Sequence, residues 1–169
     1  MSDTLAQHGI PVVGLNSLRY FWTPRTPEGA ANDLERIIRY YLATWKKDEA
    51  VIIGYSMGAE VLPFILNRLP EDVLLRVRLI VLLGPRHTAD FQFHITSWIG
   101  KSEQNALPVL PEVERLRGKK ILCFYGSDDE DAICKSLTPE IAEVVTLKGG
   151  HRIGTDFEGI ADTILREAK

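Results

Sequence analysis

A serine stands between two glycines in the string Gly54-Tyr55-Ser56-Met57-Gly58, which follows an apolar run and precedes a stretch with helical periodicity. A serine hydroxyl is a poor nucleophile, so chemistry at Ser56 requires a general base, an acid that orients this base, and donors for an oxyanion. The two glycines permit a sharp strand-to-helix turn, which lifts the hydroxyl clear of a sheet and sets the Met57 amide beside it. The string therefore predicts a nucleophilic Ser56 with Met57 as an oxyanion donor; the alternative is a glycine-rich turn without chemistry.

The predicted general base is His151, which follows Gly149-Gly150 between the last predicted strand and the closing helix. A loop at that place can present an imidazole to a serine at the end of another strand. His94 could instead face a ligand, as part of a pocket wall. The remaining histidines are interpreted as surface or pocket-wall residues: His8 and His87.

The acid is harder to choose, because the loop after a predicted strand contains four consecutive carboxylates, at residues 128–131. Asp129 stands three residues after Gly126, a common place for the acid of such a site. Asp131 begins an Asp-x-x-Cys turn, and we prefer Asp131 with Asp129 as the alternative. The resulting chain order of serine, acid and histidine is the one typical of α/β-hydrolases.

Cys123 and Cys134 lie just before and just after this acidic loop. If paired, they would close a short ring around the acid and restrict its motion. In a reducing compartment they would instead be a small core residue and a loop thiol. Neither cysteine has metal-site spacing with the histidines, so we expect no metal and no other cofactor.

Short apolar runs alternate with amphipathic stretches, which predicts an α/β fold with a mostly parallel sheet of about five strands flanked by helices. Thr26-Pro27-Glu28 has the capping hydroxyl, first-turn proline and early acid of a helix start. Residues 85–118 lack periodicity and are interpreted as a lid or substrate wall within one domain, 1–169. The predicted strands are 10–15, 50–53, 79–83, 121–125 and 144–147, and the other predicted helices are 58–69 and 155–167.

The composition excludes several classes of partner. The 169 residues are 45% hydrophobic and 25% charged, which suits one globular domain. A net charge of −3 without a basic run argues against nucleic acid. No apolar run reaches the roughly 18 residues of a membrane span, and the N-terminus lacks the pattern of a signal peptide.

Besides His94, four residues are candidates for substrate binding. Arg19 could meet a phosphate, while Tyr20 and Trp22 could border an acyl or glycerol group, because all three follow the first predicted strand. The alternative is that the aromatic rings are core and Arg19 is in a salt bridge. Glu60, one turn past Ser56, could meet an ammonium group or face solvent.

The chain resembles the bacterial virulence protein VirJ and its longer relative AcvB over nearly its whole length. The strings that carry this resemblance are SLRYFW at 17–22, GYSMGAEVLPF at 54–64, NRLP at 67–70 and CFYGSDDEDAIC at 123–134. The resemblance implies an α/β-hydrolase of the cell envelope, located in the periplasm. It implies a serine esterase acting on an aminoacyl ester of a lipid headgroup, such as lysyl-phosphatidylglycerol, or on another small ester. It also implies an association with type IV secretion proteins, which suits a binding role without catalysis.

The resemblance carries Ser56 onto the nucleophile, His151 onto the base and Asp131 onto the acid, and it favours a disulfide between the two cysteines. The family's Gly-Gly-His-His-Phe reads here as Gly-Gly-His-Arg-Ile, with the first histidine retained. Family members also have an opening strand and a Gly-Asp-Gly-Gly turn before the strand at 10–15. The opening strand would lie between the strands at 10–15 and 50–53, and the turn after it would supply the second oxyanion amide. One half of the oxyanion hole is therefore expected to be missing.

Overall fold

A computed structural model of the protein describes residues 2–92, 106–151, 153 and 157–168. Its helices are α1 (Ser2–Gln7), α2 (Ser17–Tyr20), α3 (Pro27–Trp45), α4 (Met57–Leu66), α5 (Glu71–Leu74), α6 (Leu110–Arg115) and α7 (Phe157–Glu167), with a 3-10 helix at Ile133–Ser136. Its strands are β1 (Ala50–Tyr55), β2 (Val77–Leu83), β3 (Thr88–Ala89), β4 (Leu107–Pro108), β5 (Ile121–Gly126) and β6 (Glu143–Leu147).

The main sheet has four strands in the order β1-β2-β5-β6, and each neighbouring pair is parallel. Because parallel strands end at the same edge of a sheet, the segments that follow β1, β5 and β6 converge there. β3 and β4 form a separate antiparallel pair within the predicted excursion at 85–118. The expected mostly parallel α/β fold is confirmed, and four of the five predicted strands are present.

Helices cover both faces of this sheet. The larger core joins one face to α3, α4 and α6, and the smaller core joins the other face to α7. β2 is buried almost throughout, since it is a central strand with helices on both sides. Ile160 and Ile164 of α7 are buried, whereas Phe157 at the start of this helix is 41% exposed.

The start of α3 is also confirmed. The Thr26 hydroxyl accepts a hydrogen bond from the Gly29 backbone N–H at 3.0 Å, and Pro27 occupies the first helical turn. Pro27 suits that position because its missing N–H has no intrahelical acceptor there. The helix presents buried Ile38 and Leu42 to the core.

The predicted strand at 10–15 is not a strand. Ile10, Val12, Val13 and Leu15 are exposed, by 37% to 59%. An apolar run becomes a strand only if a neighbour satisfies its backbone groups. Within the part of the chain that the structure describes, no strand pairs with β1 on the side away from β2. The apolar run at 10–15 has the composition of a strand, but a strand forms only where a neighbouring strand is available to hydrogen-bond with it.

The excursion at 85–118 contains structure that its composition did not predict, namely β3, β4 and α6. The Asn67 side-chain amide at the end of α4 donates to the backbone oxygen of Glu112 at 2.8 Å and to its buried carboxylate at 2.7 Å. These bonds tie α6 to α4. Residues 93–105, including the proposed pocket-wall residue His94, lie outside the described residues.

Candidate active site

The turn between β1 and α4 brings Ser56 to the carboxyl edge of the sheet. Ser56 has φ 50° and ψ −121°, an unusual backbone conformation for a residue with a side chain. A Cβ added to Gly54 would lie 2.6 Å from the Gly58 backbone oxygen and 2.7 Å from the Ala59 Cα. Only glycine therefore permits this approach of strand to helix, and the sharp turn leaves the Ser56 hydroxyl beyond the strand end.

Two hydrogen bonds join Ser56 to His151 and His151 to Asp129. The Ser56 Oγ lies 3.0 Å from Nε2 of His151. The Nδ1 of the same ring lies 3.0 Å from Oδ2 of Asp129. A ring protonated on Nδ1 donates to the carboxylate and leaves Nε2 to accept the hydroxyl proton. This is the hydrogen-bond order of a serine hydrolase triad.

The carboxylate beside His151 belongs to Asp129 and not to Asp131, the residue preferred from the sequence. The Asp129 N–H donates to the Gly126 backbone oxygen at 2.9 Å, which forms a tight turn and directs the Asp129 side chain inward, where only 7% is exposed. Asp131 is exposed beyond the turn, and its backbone N–H donates to Oδ1 of Asp129 at 3.2 Å. Asp131 thus contributes a backbone N–H that helps to hold the Asp129 carboxylate in place.

The loop before His151 packs against the end of β5. The Asp128 N–H donates to the Gly149 oxygen at 2.9 Å, and the Ser127 N–H donates to the Leu147 oxygen at 2.7 Å. A Cβ on Gly126 would overlap the backbone oxygens of Gly149 and Gly150. The absence of a side chain at Gly126 is therefore what allows the histidine loop to reach the acid loop.

A third glycine lies beneath the imidazole. Gly84 follows β2 with φ 61°, and a Cβ there would lie 3.2 Å from the His151 backbone oxygen and 3.6 Å from its Cε1. Gly126 at the end of β5 and Gly84 after β2 thus both lie against the backbone of the loop that carries His151. Gly84 and Gly126 were not predicted to be part of the site, although a glycine at the end of each of two buried apolar runs is a detectable signal for close backbone approach.

The acid loop is fixed at both of its ends. Cys123 in β5 and Cys134 form a disulfide with a Cα–Cα distance of 5.6 Å, and both are buried. The ring that they close contains Asp129. Arg86 and Ala132 form an antiparallel bridge between the loop after β2 and the acid loop. These links limit the freedom of the carboxylate that contacts His151.

Glu60 lies one helical turn past Ser56, with its N–H donating to the Ser56 oxygen at 3.1 Å. Burial raises the pKa of Glu60 to about 7, while the charge of Arg86 and a hydrogen bond from its backbone N–H oppose this rise. A carboxyl group with this pKa changes charge near neutral pH. Glu60 is thus a partly buried acid one helical turn past Ser56, with the charge of Arg86 nearby.

The other predicted substrate residues lie on and after α2. The Tyr20 hydroxyl donates to Oδ2 of Asp33 at 2.6 Å, and burial together with this bond raises the pKa of Tyr20 to about 12. Tyr20 is therefore held against α3 and packs on the larger core. Arg19 and Trp22 are exposed.

Met57, the predicted oxyanion donor, begins α4, where the first backbone N–H groups have no intrahelical acceptor.

Within the described residues, no group of three or more histidine, cysteine, aspartate or glutamate side chains is arranged to bind a metal ion. No helix among the described residues is long and apolar enough to cross a membrane.

The family model described as bacterial virulence protein (VirJ) matches residues 1–169. No curated protein sequence matches the chain significantly. Among solved structures, a lipase-esterase related protein from Clostridium acetobutylicum has a TM-score of 0.53 at 18% identity, covering 85% of this chain and 76% of that one.

Two further solved structures are similar. A protein assigned to the hydrolases of the alpha/beta superfamily from Xanthomonas campestris has a TM-score of 0.52 at 15% identity, covering 99% of this chain and 83% of that one. The type II thioesterase BorB from the borrelidin biosynthetic cluster has a TM-score of 0.52 at 14% identity, covering 87% and 72%. At these identities the likeness establishes the α/β-hydrolase fold.

Proposed function

We propose, from the premise that this chain belongs to the bacterial virulence protein (VirJ) family, that it is a serine esterase whose triad is Ser56, His151 and Asp129. The observation that carries the proposal is the pair of 3.0 Å contacts that join the serine to the imidazole and the imidazole to the carboxylate. The hydrolase fold and the positive φ of Ser56 support the same conclusion.

In the proposed reaction, the Ser56 Oγ attacks the carbonyl carbon of the ester while Nε2 of His151 takes the hydroxyl proton. Asp129 holds the imidazole in the required orientation and stabilises its positive charge. The Met57 N–H donates to the oxyanion. His151 then returns the proton to the leaving alcohol, and water cleaves the acyl-enzyme by the same sequence of proton transfers.

The substrate class that we propose is an aminoacyl ester of a lipid headgroup, such as lysyl-phosphatidylglycerol. The sequence resemblance supports this choice, and Glu60 supplies a carboxyl group near the nucleophile that could meet an ammonium group. The exposed Arg19 could meet the phosphate. A periplasmic location is part of the proposal, because a buried disulfide persists in an oxidising compartment.

The test is turnover of lysyl-phosphatidylglycerol, aryl esters and thioesters by the purified protein, together with fluorophosphonate labelling. We expect ester turnover and a label on Ser56, both absent in Ser56→Ala. Asp129→Asn should lower kcat on the order of 10³- to 10⁴-fold, because the imidazole loses its orienting anion. The matched Asp131→Asn variant should stay within about twofold of the parent, since that side chain is exposed.

Two results would contradict the proposal. One is a lack of turnover and of labelling in the parent protein. The other is full restoration of a null strain's phenotype by Ser56→Ala, which would support the rival role, a periplasmic binding protein of a secretion system that retains the fold without the chemistry.

A further inference from the structure

The proposed oxyanion hole has only one donor so far, the Met57 backbone N–H. Stabilisation of a tetrahedral oxyanion usually involves two or more donors that converge on the same oxygen. The second donor in this chain should lie across from Met57, near the start of α4. Among the described residues, Ser17, the first residue of α2, has a side-chain hydroxyl near the start of α4.

The Ser17 hydroxyl lies over the start of α4. A Cβ built on Gly58 would be 4.0 Å from the Ser17 Oγ, the nearest described heavy atom outside the adjoining residues and the backbone of α4. A small open space therefore separates the Ser17 hydroxyl from the turn that holds Ser56. Ser17 is half-buried, and within the described part of the chain its hydroxyl has no hydrogen-bond partner. It is free to donate to a ligand atom in that space.

Ser17 is held in place by the packing of its short helix. The Asn16 side chain caps the helix by accepting from the Arg19 N–H at 3.0 Å, and the Phe21 N–H donates to the Ser17 oxygen at 2.9 Å. Phe21 is buried, with its ring 5.7 Å from that of Phe91. Tyr20 is bonded to α3 through Asp33. A donor fixed in this way needs little rearrangement when charge develops on the substrate.

We propose that the Ser17 hydroxyl is the second oxyanion donor and acts opposite the Met57 amide, an inference that rests on the proposed esterase function. As Ser56 adds to the ester carbonyl, the Ser17 O–H donates a hydrogen bond to the carbonyl oxygen while it becomes an oxyanion. No covalent bond forms or breaks at Ser17, and its proton stays on its own oxygen. The bond is strongest when the charge is fully developed, so it acts on the transition state more than on substrate binding.

The test compares Ser17→Ala and Ser17→Thr with the parent on an aryl ester, with Ser2→Ala as a control in α1, which contacts α7 on the other face of the sheet. We expect Ser17→Ala to lower kcat about 10- to 100-fold with KM within about twofold. Ser17→Thr keeps a hydroxyl and should recover most of the rate. Inhibition by a boronic acid, which forms a tetrahedral adduct on Ser56, should weaken in parallel with kcat.

Several outcomes separate the two proposals. If the parent turns over the ester and Ser17→Ala keeps the parental kcat and boronate affinity, the role of Ser17 is overturned while the proposed function stands. Equal losses in Ser17→Ala and Ser17→Thr, at an unchanged melting temperature, would also overturn it, because the hydroxyl would not be the group that matters. A parent protein without turnover or fluorophosphonate labelling overturns the esterase function and this inference together.

Discussion

At the residue scale, the contact between His151 and Asp129 illustrates how a short turn selects one carboxylate among several. Four adjacent acids are chemically similar, and any of them could orient an imidazole. The turn closed by the Asp129 N–H and the Gly126 oxygen directs one side chain inward and leaves Asp131 exposed. Burial and a charge-assisted hydrogen bond then distinguish Asp129 from its neighbours.

Glu60 leads to a prediction about the pH dependence of stability. Its pKa is 4.5 in the unfolded chain and about 7 in the fold, so folding favours the protonated form. The associated stability is fully present below pH 4.5 and is lost as the pH rises through about 7. We therefore expect the free energy of unfolding of the parent to fall, relative to Glu60→Gln, by at most about 3 kcal/mol over this range.

Urea denaturation at pH values on both sides of this range would measure the difference. Glu143→Gln, at an exposed glutamate of β6, is the matched control and should follow the parent at each pH. Parallel stability curves for the parent and Glu60→Gln would contradict the argument that burial at this site penalises the charged carboxylate.

At the scale of elements, strand ends without side chains bring the loops of the site together. β5 ends at Gly126, and the loop before His151 lies directly on it. Gly84 gives the same close approach after β2. The separation between the imidazole and its partners is therefore controlled by backbone packing as well as by side-chain hydrogen bonds.

Gly126→Ala should displace the histidine loop, because the added methyl group would overlap two backbone oxygens that cannot rotate away. We expect a loss in kcat of at least about 10-fold and a destabilisation of about 1–3 kcal/mol. Ester hydrolysis and thermal unfolding would measure these effects. Gly14→Ala, where an added Cβ meets open space, should match the parent. Parental activity in Gly126→Ala would show that the loop can adjust without moving His151.

At the scale of the whole molecule, a parallel sheet collects the site from distant parts of the chain. Ser56 follows β1, Asp129 follows β5 and His151 follows β6, so all three reach one edge. The disulfide connects this edge to the core, because Cys123 lies in the middle of β5 and Cys134 lies just after the acid loop.

Removal of the disulfide by Cys123→Ala with Cys134→Ala should lower the free energy of unfolding by about 2–4 kcal/mol, because the unfolded chain regains the freedom of the closed loop. It should also lower kcat, since Asp129 lies within that loop. Urea denaturation and ester turnover with and without a reductant would measure both effects. The reductant should reproduce the loss in the parent and add nothing in the double variant. Unchanged stability and activity in the double variant would contradict this role.

The sequence by itself determined the features that depend on neighbouring residues. Thr26 and Pro27 define the start of α3, and the glycines at 54 and 58 indicate the turn at Ser56, because capping and tight turns are local geometry. Apolar runs likewise predicted β1, β2, β5 and β6, and in the central strands β2 and β5 these runs reflect burial on both faces of the sheet.

Only the tertiary structure decided the features that depend on distant partners. The choice between Asp129 and Asp131 depends on a histidine loop that arrives after another strand, which no spacing within the acid loop reveals. Residues 10–15 have strand composition, but strand formation requires a hydrogen-bonded neighbour that the described structure does not place there. The approach of Ser17 to Gly58 depends on the packing of Phe21 in the core. In each case the deciding interaction is a contact between segments far apart in the chain, and only the folded arrangement defines it.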